Sequence, residues 1–369
     1  MTLAVYRKYR PVTFKEMLGQ ENLVKILQNA AIQNKISHAY LFAGPRGTGK
    51  TTLARLIAKV ANCETRLKDE RFRGFGEPCN NCRICVEVDS GRALDLIEID
   101  AASNRGIDEI RDLKESVRSA PTSYSHKIFI IDEAHQLTKE AFNALLKTLE
   151  EPPANVIFIL ATTELERIPA TIASRAQIFR FRKIPLSQIK NKLAKVAAQE
   201  NINLSPDALE LISASAEGSF RDAESILDQF LSFGYDKVNV EDVEKMFGKI
   251  SLSKVVNFAE KLINGDLTKT LGDLSDFAKQ GFSLTHFTKD LIAYLRRVLV
   301  LKLNPEMETA FREELTSDEL EKIKDHAKLT KEAEHILLLK SLINAYGQMR
   351  YSQFPLIPLE IAIVESLKK

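Results

Sequence analysis

Between residues 37 and 180, short, mostly apolar runs alternate with stretches in which apolar positions recur every three or four residues. Ala39 to Ala43, Leu96 to Asp100, Lys127 to Asp132 and Val156 to Ala161 read as strands of the kind buried on both faces of a parallel sheet. Helices are expected between them. One covers Thr51 to Val60, after a glycine-rich loop. A second covers Ile107 to Ser119, with Ile107, Ile110, Leu113 and Val117 on one face. A third covers Lys139 to Glu150 and ends at Pro152 and Pro153. This βαβ succession predicts an α/β fold built on a doubly wound sheet. Beyond Pro185 strand signals stop. Ser205, Pro206 and Asp207 form an N-cap, a first-turn proline and a first-turn acid for a helix closed by Gly218. A further helix runs from about Arg221 to Phe233 before Gly234, and another follows Asn239 and ends near Gly248. From about residue 250 the pattern is amphipathic helix throughout, as in Leu284, Phe287, Leu291, Leu295 and Val298, and carries no chemical motif.

Length and composition narrow this picture. A chain of 369 residues exceeds one compact core, so two or three domains are expected. With 44% hydrophobic and 28% charged residues it has enough apolar surface to offset chain entropy, which excludes global disorder. The longest apolar runs, such as Val156 to Ala161, fall far short of the roughly 18 to 20 residues that cross a bilayer, so no membrane partner is expected. Charges at Arg7, Lys8 and Arg10 arrive before any secretion-signal core could form, and a cytoplasmic location follows as the expectation. The balance of 52 basic and 50 acidic residues leaves a net charge of +2, so any nucleic-acid contact must be local.

All four cysteines lie in one segment: Cys63, then Cys79, Cys82 and Cys85. In a reducing compartment two tight C-x-x-C steps and four thiolates suit a structural zinc ion, held in a closed site without catalytic work. An iron-sulfur cluster, or thiols without a metal, are the alternatives.

The sequence Gly44-Pro45-Arg46-Gly47-Thr48-Gly49-Lys50-Thr51-Thr52 contains G-x-x-x-x-G-K-[ST] between an apolar strand and a helix, the context a phosphate-binding loop requires. Its glycines let backbone N–H groups converge on phosphates at a helix N-terminus. Lys50 would meet the β- and γ-phosphates of ATP, and Thr51 would hold magnesium. Ile128 to Ile131 then delivers Asp132 and Glu133 at a strand end, where Asp132 would complete the magnesium shell and Glu133 would polarise the attacking water. An acid pair that merely caps a helix is the plainer reading. Thr163 follows the next strand and could orient water or be a simple strand former, while Arg175 and Arg221 read by themselves as surface charges.

Taken in order, Tyr6-Arg-Lys-Tyr-Arg10-Pro11, Gly19-Gln20, the phosphate loop, the cysteine quartet, Asp132-Glu-Ala-His135, Ala161-Thr-Thr163, Ser174-Arg175 and Gly218-Ser-Phe-Arg-Asp222 resemble the tau/gamma family of bacterial DNA polymerase III clamp-loader subunits, which are AAA+ ATPases. The resemblance covers the whole chain. It implies an AAA+ core over 1–180 with a zinc module near 63–85, a helical lid over 181–245 and a helical collar over 246–369 that joins subunits in a ring. It implies that Arg10 and Pro11 join the nucleotide site, that Thr163 takes the sensor-1 position and that Arg221 takes sensor-2. It also implies that Arg175 is the arginine finger acting on a neighbouring subunit's ATP. Ala176 stands where the family usually has cysteine. Longer tau forms continue past the collar, so a chain ending at Lys369 is expected to load clamps without tethering helicase or polymerase.

The partners so implied are δ and δ′ subunits, further copies of this chain, the β sliding clamp, primer-template DNA and the single-stranded-DNA-binding machinery. The cofactors implied are ATP, Mg2+ and Zn2+. ATP binding would open the clamp, and DNA would trigger hydrolysis and release. Asn104, Arg105 and Lys147 are the candidates for contacts to DNA phosphates, with ordinary solvated polar residues as the alternative. A DEAH-type helicase and a nucleotide-binding scaffold without turnover are the competing functions.

Overall fold

The computed structural model describes residues 3–103, 115–117, 119–315 and 317–367. The chain divides into two compact units, one made of Met1–Ile189 with Ala216–Asp228 and the other of Lys190–Ser215 with Gln229–Lys369.

The first unit is built on five strands, β1 (Ala39–Ala43), β2 (Leu96–Asp100), β3 (Lys127–Asp132), β4 (Val156–Thr162) and β5 (Gln177–Arg180). They pair in parallel in the order β2-β3-β4-β1-β5. Side chains alternate between the faces. Tyr40, Phe42, Ile128, Ile130, Ile157 and Ile159 pack on Leu53, Leu56, Ile57 and Val60 of the helix Lys50–Asn62. Leu41, Phe129, Ile131, Phe158 and Leu160 pack on Phe142, Leu145 and Leu149 of the helix Lys139–Glu150. Each such burial contributes about 1.5–3 kcal/mol, so a one-residue slip of any central strand would expose its whole set, and the register is fixed. That register sets Ala43 beside Thr162 and Asp100 beside Asp132, gathering the strand carboxyl ends at one edge of the sheet. The result is the doubly wound parallel sheet that the sequence predicts.

Three features depart from expectation. β2 is not buried on both faces: it is the end strand of the sheet, and its Glu98 is drawn to the surface by Arg55 at 2.6 Å. β5 and the helix Glu21–Ile32 lie outside the expected elements. β5 has one buried residue, Phe179, among exposed ones, too short a pattern to be read as a strand. The helix expected over Ile107 to Ser119 falls almost wholly outside the described residues.

The second unit is helical except for β6 (Asn203–Leu204) and β7 (Lys237–Val238), a two-residue parallel pair that corrects the reading of no strands beyond Pro185. The helix Pro206–Ser215 stops three residues before Gly218. The helix Val240–Phe247 is capped reciprocally by Asn239 and Asp242 and ends on Gly248, whose φ of 60° is left-handed. Leu284, Phe287, Leu291, Leu295 and Val298 are all buried along the helix Leu284–Leu303 and share a core with Phe258, Leu342, Leu359 and Ile363. Among the described residues the unit contains no second nucleotide-binding sheet of the kind a DEAH-type helicase would need.

Two histidines are buried in that core. Tyr294 Oη lies 2.8 Å from His326 Nδ1, and His335 Nε2 lies 2.8 Å from the Leu295 carbonyl oxygen. A carbonyl only accepts, so His335 carries hydrogen on Nε2. Burial pushes both imidazoles below the ordinary histidine range. The unfolded chain therefore binds protons that the folded chain refuses. The stabilisation is complete above the unfolded value of about 6.5 and is lost as pH falls below it. The melting temperature of this unit should drop by several degrees between pH 7.5 and pH 5.5. His335→Gln, which keeps a donor near Nε2 and cannot titrate, should flatten part of that slope in thermal melts.

Candidate functional site

The loop after β1 is shaped by three left-handed glycines, Gly44, Gly47 and Gly49, with φ of 151°, 72° and 102°. At Gly47 space matters as much as torsion, since a Cβ there would lie 1.8 Å from Ser219 Oγ and 3.3 Å from Arg221 Cβ. The Phe220 amide donates to the Gly47 carbonyl at 3.2 Å, so the start of the helix Phe220–Ser232 is pressed against the loop. Thr48 Oγ1 donates to the Pro45 carbonyl at 2.8 Å, which closes the turn.

Lys50 opens the helix Lys50–Asn62, and its ammonium donates to the Gly44 and Pro45 carbonyls at 2.8 Å each. Burial pushes this ammonium below its ordinary range, against the pull of Glu133 and Asp132. Thr51 Oγ1 donates to Asp132 Oδ2 at 2.9 Å. Glu133 turns the other way because its backbone is left-handed, with φ of 48°, a conformation uncommon for a residue with a Cβ. Its Oε2 accepts from Thr163 Oγ1 at 3.1 Å. Lys50, Thr51, Asp132, Glu133 and Thr163 are thus brought together from the ends of β1, β3 and β4. A helix N-terminus, a buried cation and a hydroxyl-carboxylate pair suit a triphosphate with a divalent cation.

Arg221 stands above the Tyr6 ring, with the guanidinium carbon 4.9 Å from the centroid. The Tyr6 hydroxyl is held below the usual phenol range by the Arg7 hydrogen bond, and Arg221 adds to this. Arg10 is shifted down by burial first and then by repulsion from Arg55. Pro11 and Thr52 are half-buried. Arg46 is exposed. Arg175 is joined to its own surroundings, donating to Glu150 Oε1 at 2.5 Å and to the Thr171 carbonyl at 2.7 Å, and to none of the phosphate-loop residues among these contacts. Lys147 is exposed on the helix Lys139–Glu150. Asn104 and Arg105 lie outside the described residues. The sequence reading gave no role to Tyr6, Ser219 or His135, each of which touches a site residue. For Ser219 the only signal is the small residue after Gly218. His135 is part of the Asp-Glu-Ala-His string.

The four cysteine sulfurs lie within 4.8 Å of one another. The Cys79 amide donates to Cys63 Sγ at 3.4 Å and the Cys82 amide to Cys79 Sγ at 3.2 Å, contacts that favour thiolates. The Cys85 thiol holds Cys63 down at about 4, and the proton so shared pushes Cys85 up. The set has the closed four-sulfur arrangement that could hold a metal ion. It is tied to the nucleotide loop through the helix between them. Cys63 directly follows Asn62, and the fully buried Lys59 ammonium donates to Asp89 at 2.7 Å. Glu77 accepts from the Phe14 and Lys15 amides at 2.7 and 3.0 Å, and burial raises its carboxyl above the usual range.

Three family models match successive stretches of the chain. Residues 19–185 match the DNA polymerase III delta subunit model, 188–236 the ATPase lid domain of the DNA polymerase III clamp loader subunit, and 238–368 domain III of the DNA polymerase III gamma and tau subunits. The DNA polymerase III subunit tau of Bacillus subtilis is 40% identical over 362 residues, 98% of this chain and 62% of that protein. Subunit gamma/tau of Mycoplasma pneumoniae is 42% identical over 79% of this chain and 42% of its own length. Subunit gamma of Buchnera aphidicola subsp. Acyrthosiphon pisum is 32% identical over 97% of this chain and 96% of its own. The chain thus spans about three fifths of the length of the Bacillus subtilis tau subunit. On these matches, which run through core, lid and domain III in order, the chain belongs to the gamma/tau family of DNA polymerase III clamp-loader subunits.

Proposed function

We propose that this chain is an ATP-hydrolysing subunit of a clamp loader, which uses nucleotide binding to open a β sliding clamp and hydrolysis to release it on primer-template DNA. The observation that carries the reading is the convergence of Lys50, Thr51, Asp132, Glu133 and Thr163 at the carboxyl edge of the sheet. A scaffold without turnover would have no need of both acids. Gly44 to Thr52 would wrap the ATP phosphates, with Lys50 on the β- and γ-phosphates, while Arg10 and Pro11 line the nucleotide side. Thr51 and Asp132 would hold Mg2+, which neutralises charge on the transferring phosphoryl group. Glu133 accepts the proton of the attacking water, and Thr163 keeps that carboxylate in place. Arg221, at the start of a helix that touches Gly47, reaches the γ-phosphate from the lid side.

Arg175 has no partner in the phosphate loop among its hydrogen bonds, and its half-exposed side chain suits an arginine that acts on the ATP of an adjoining subunit. Hydrolysis then depends on assembly with δ, δ′ and further copies of this chain. Cys63, Cys79, Cys82 and Cys85 would hold Zn2+ as a brace. A division into core (1–180), lid (181–245) and collar (246–369) follows the three matched ranges closely. Asn104, Arg105 and Lys147 are the proposed DNA contacts, and the single-stranded-DNA-binding machinery is a further proposed partner. Work of this kind belongs in the cytoplasm.

The test is reconstitution with δ, δ′, clamp and primed circular DNA, scored by clamps that become topologically linked. Failure to link any clamp, or unwinding of DNA without clamp, would reject the reading. In that assembly Arg175→Ala should lower ATP turnover by at least about a hundredfold while ATP affinity stays within about threefold. Unchanged turnover would remove Arg175 from the site.

A further inference from the structure

His135 is two residues beyond Glu133, and its imidazole is only 3% exposed. Buried polar rings are held by partners, and the partners here are informative. Nε2 lies 2.9 Å from Gln136 Nε2 and 3.3 Å from Glu164 Oε1. Nδ1 lies 3.1 Å from Thr162 Oγ1 and 3.5 Å from Glu133 Oε2. Thr162 Oγ1 gives its own hydrogen to the Glu164 carbonyl at 3.2 Å and accepts from the Glu164 amide at 3.0 Å, so it takes the hydrogen of Nδ1, and Nε2 is left with the lone pair that accepts from Gln136.

Glu133 Oε2 therefore has one hydrogen-bond donor and, 3.5 Å away, the ring Nδ1, whose hydrogen Thr162 Oγ1 holds at 3.1 Å. Thr163 Oγ1 reaches it from the end of β4, and the His135 ring approaches from the turn Ala134–Gln136 that follows Glu133. The histidine approach is longer than a hydrogen bond. Contacts to a catalytic base are commonly long in the free enzyme and tighten in the reacting complex. The far side of the ring is held by Gln136, which donates to Nε2 at 2.9 Å, and Glu164, whose other oxygen takes Arg167 Nε at 2.9 Å, stands 3.3 Å from the same nitrogen.

We propose that His135 is a positioning residue for Glu133: its Nδ1 hydrogen, with the Thr163 hydroxyl, sets the carboxylate toward the attacking water. The inference rests on Glu133 being the base. It adds that the last residue of the Asp-Glu-Ala-His string acts through Glu133 and not on the nucleotide.

Two variants separate the two sides of the ring. His135→Asn keeps a donor near the Nδ1 position, facing Glu133. His135→Gln keeps one near Nε2, facing Glu164. With the full chain assembled with its partners on primed DNA, kcat, KM and ATP affinity are measured for each. His135→Asn should stay within about threefold of the parent kcat, and His135→Gln should fall by on the order of ten- to a hundredfold, both with KM and ATP affinity within about twofold. In a Glu133→Gln background, the change from His135 to Gln should alter the residual rate by less than about twofold, because the group it positions is gone. Equal kcat in the two variants, or a loss expressed in KM and affinity, would overturn the proposal while leaving Glu133 as base. Full turnover by Glu133→Gln alone would overturn the proposal and the reading of Glu133 together.

Discussion

Lys50→Ala should lower ATP hydrolysis in the assembled complex by about a thousandfold or more, and should weaken ATP binding as well. The ammonium is buried between two carbonyls of its own loop, with Asp132 and Glu133 close enough to pull on its protonation. The cation is stored at the point where the helix Lys50–Asn62 begins, so phosphate oxygens would replace carbonyl oxygens as its partners with little travel. Alanine removes the charge that meets the phosphates and leaves the Gly44 and Pro45 carbonyls without that donor. Glu133→Gln is the control that separates binding from chemistry. It keeps the size of the side chain and a hydrogen bond to Thr163, but cannot take a proton from water. Hydrolysis should fall by a comparable factor while ATP affinity is unchanged or improved. The pair is read by calorimetric titration of ATP and by phosphate release with DNA and clamp present. Parent-like turnover in Lys50→Ala would remove the nucleotide from this loop.

Much of the fold is legible because its signals are local and periodic. The central strands β1, β3 and β4 are runs of apolar residues that need both faces covered, and the helices that cover them carry their stripes in sequence. The phosphate loop is equally plain, since glycines at fixed spacing before Lys50 have few other uses. The elements beyond that reading have weaker local signals. β5 is held by pairing with β1, and Phe181 continues that pairing by donating to the Ala43 carbonyl. The helix Glu21–Ile32 carries Val24, Leu27 and Ala31 at helical spacing, a legible stripe, but without strand neighbours to place it. β6 and β7 are too short for any period to register.

The site divides in the same way. Residue types announce Lys50, Thr51, Asp132 and Glu133, because few other side chains can meet a phosphate or a magnesium ion. What the sequence does not carry is geometry across distance. Nothing local says that Ser219 packs against Gly47 some 170 positions earlier in the chain, or that Thr163 bonds to Glu133. Nor does an isolated Arg221 reveal that its guanidinium stands on Tyr6. These contacts are made by the fold, after the sheet has set its register; Thr163 is offered by its place at a strand end with a plain strand former as the alternative, and only the resemblance of the ordered motifs pointed to Arg221 beforehand.

Removing the metal from the cysteine centre should have the second large effect, and one that reaches the nucleotide site. Four sulfurs this close repel as thiolates and compete for protons as thiols, so an ion that joins them would supply much of the energy holding the segment together. The segment leans on the helix that carries Lys50 and Thr51. Cys63 follows the last residue of that helix, and Lys59, on its last turn, is fully buried with Asp89 as its carboxylate partner. Asp89 ends the helix Arg83–Asp89, which also contains Cys85. If the centre comes apart, Asp89 is free to leave, and a buried ammonium without its partner costs about 3–5 kcal/mol. A loss of that size corresponds to a fall in melting temperature on the order of 10 °C for a unit of this length. Stripping with a strong chelator, or Cys85→Ser, should produce that fall together with a roughly tenfold weaker affinity for ATP. Elemental analysis of the untreated protein should give one zinc per chain. Lys59→Met, which fills the same space without a charge, should lessen the part of the loss that comes from the stranded ammonium. A stripped protein that melts and binds ATP like the parent would show the cysteine centre and the helix to be energetically separate.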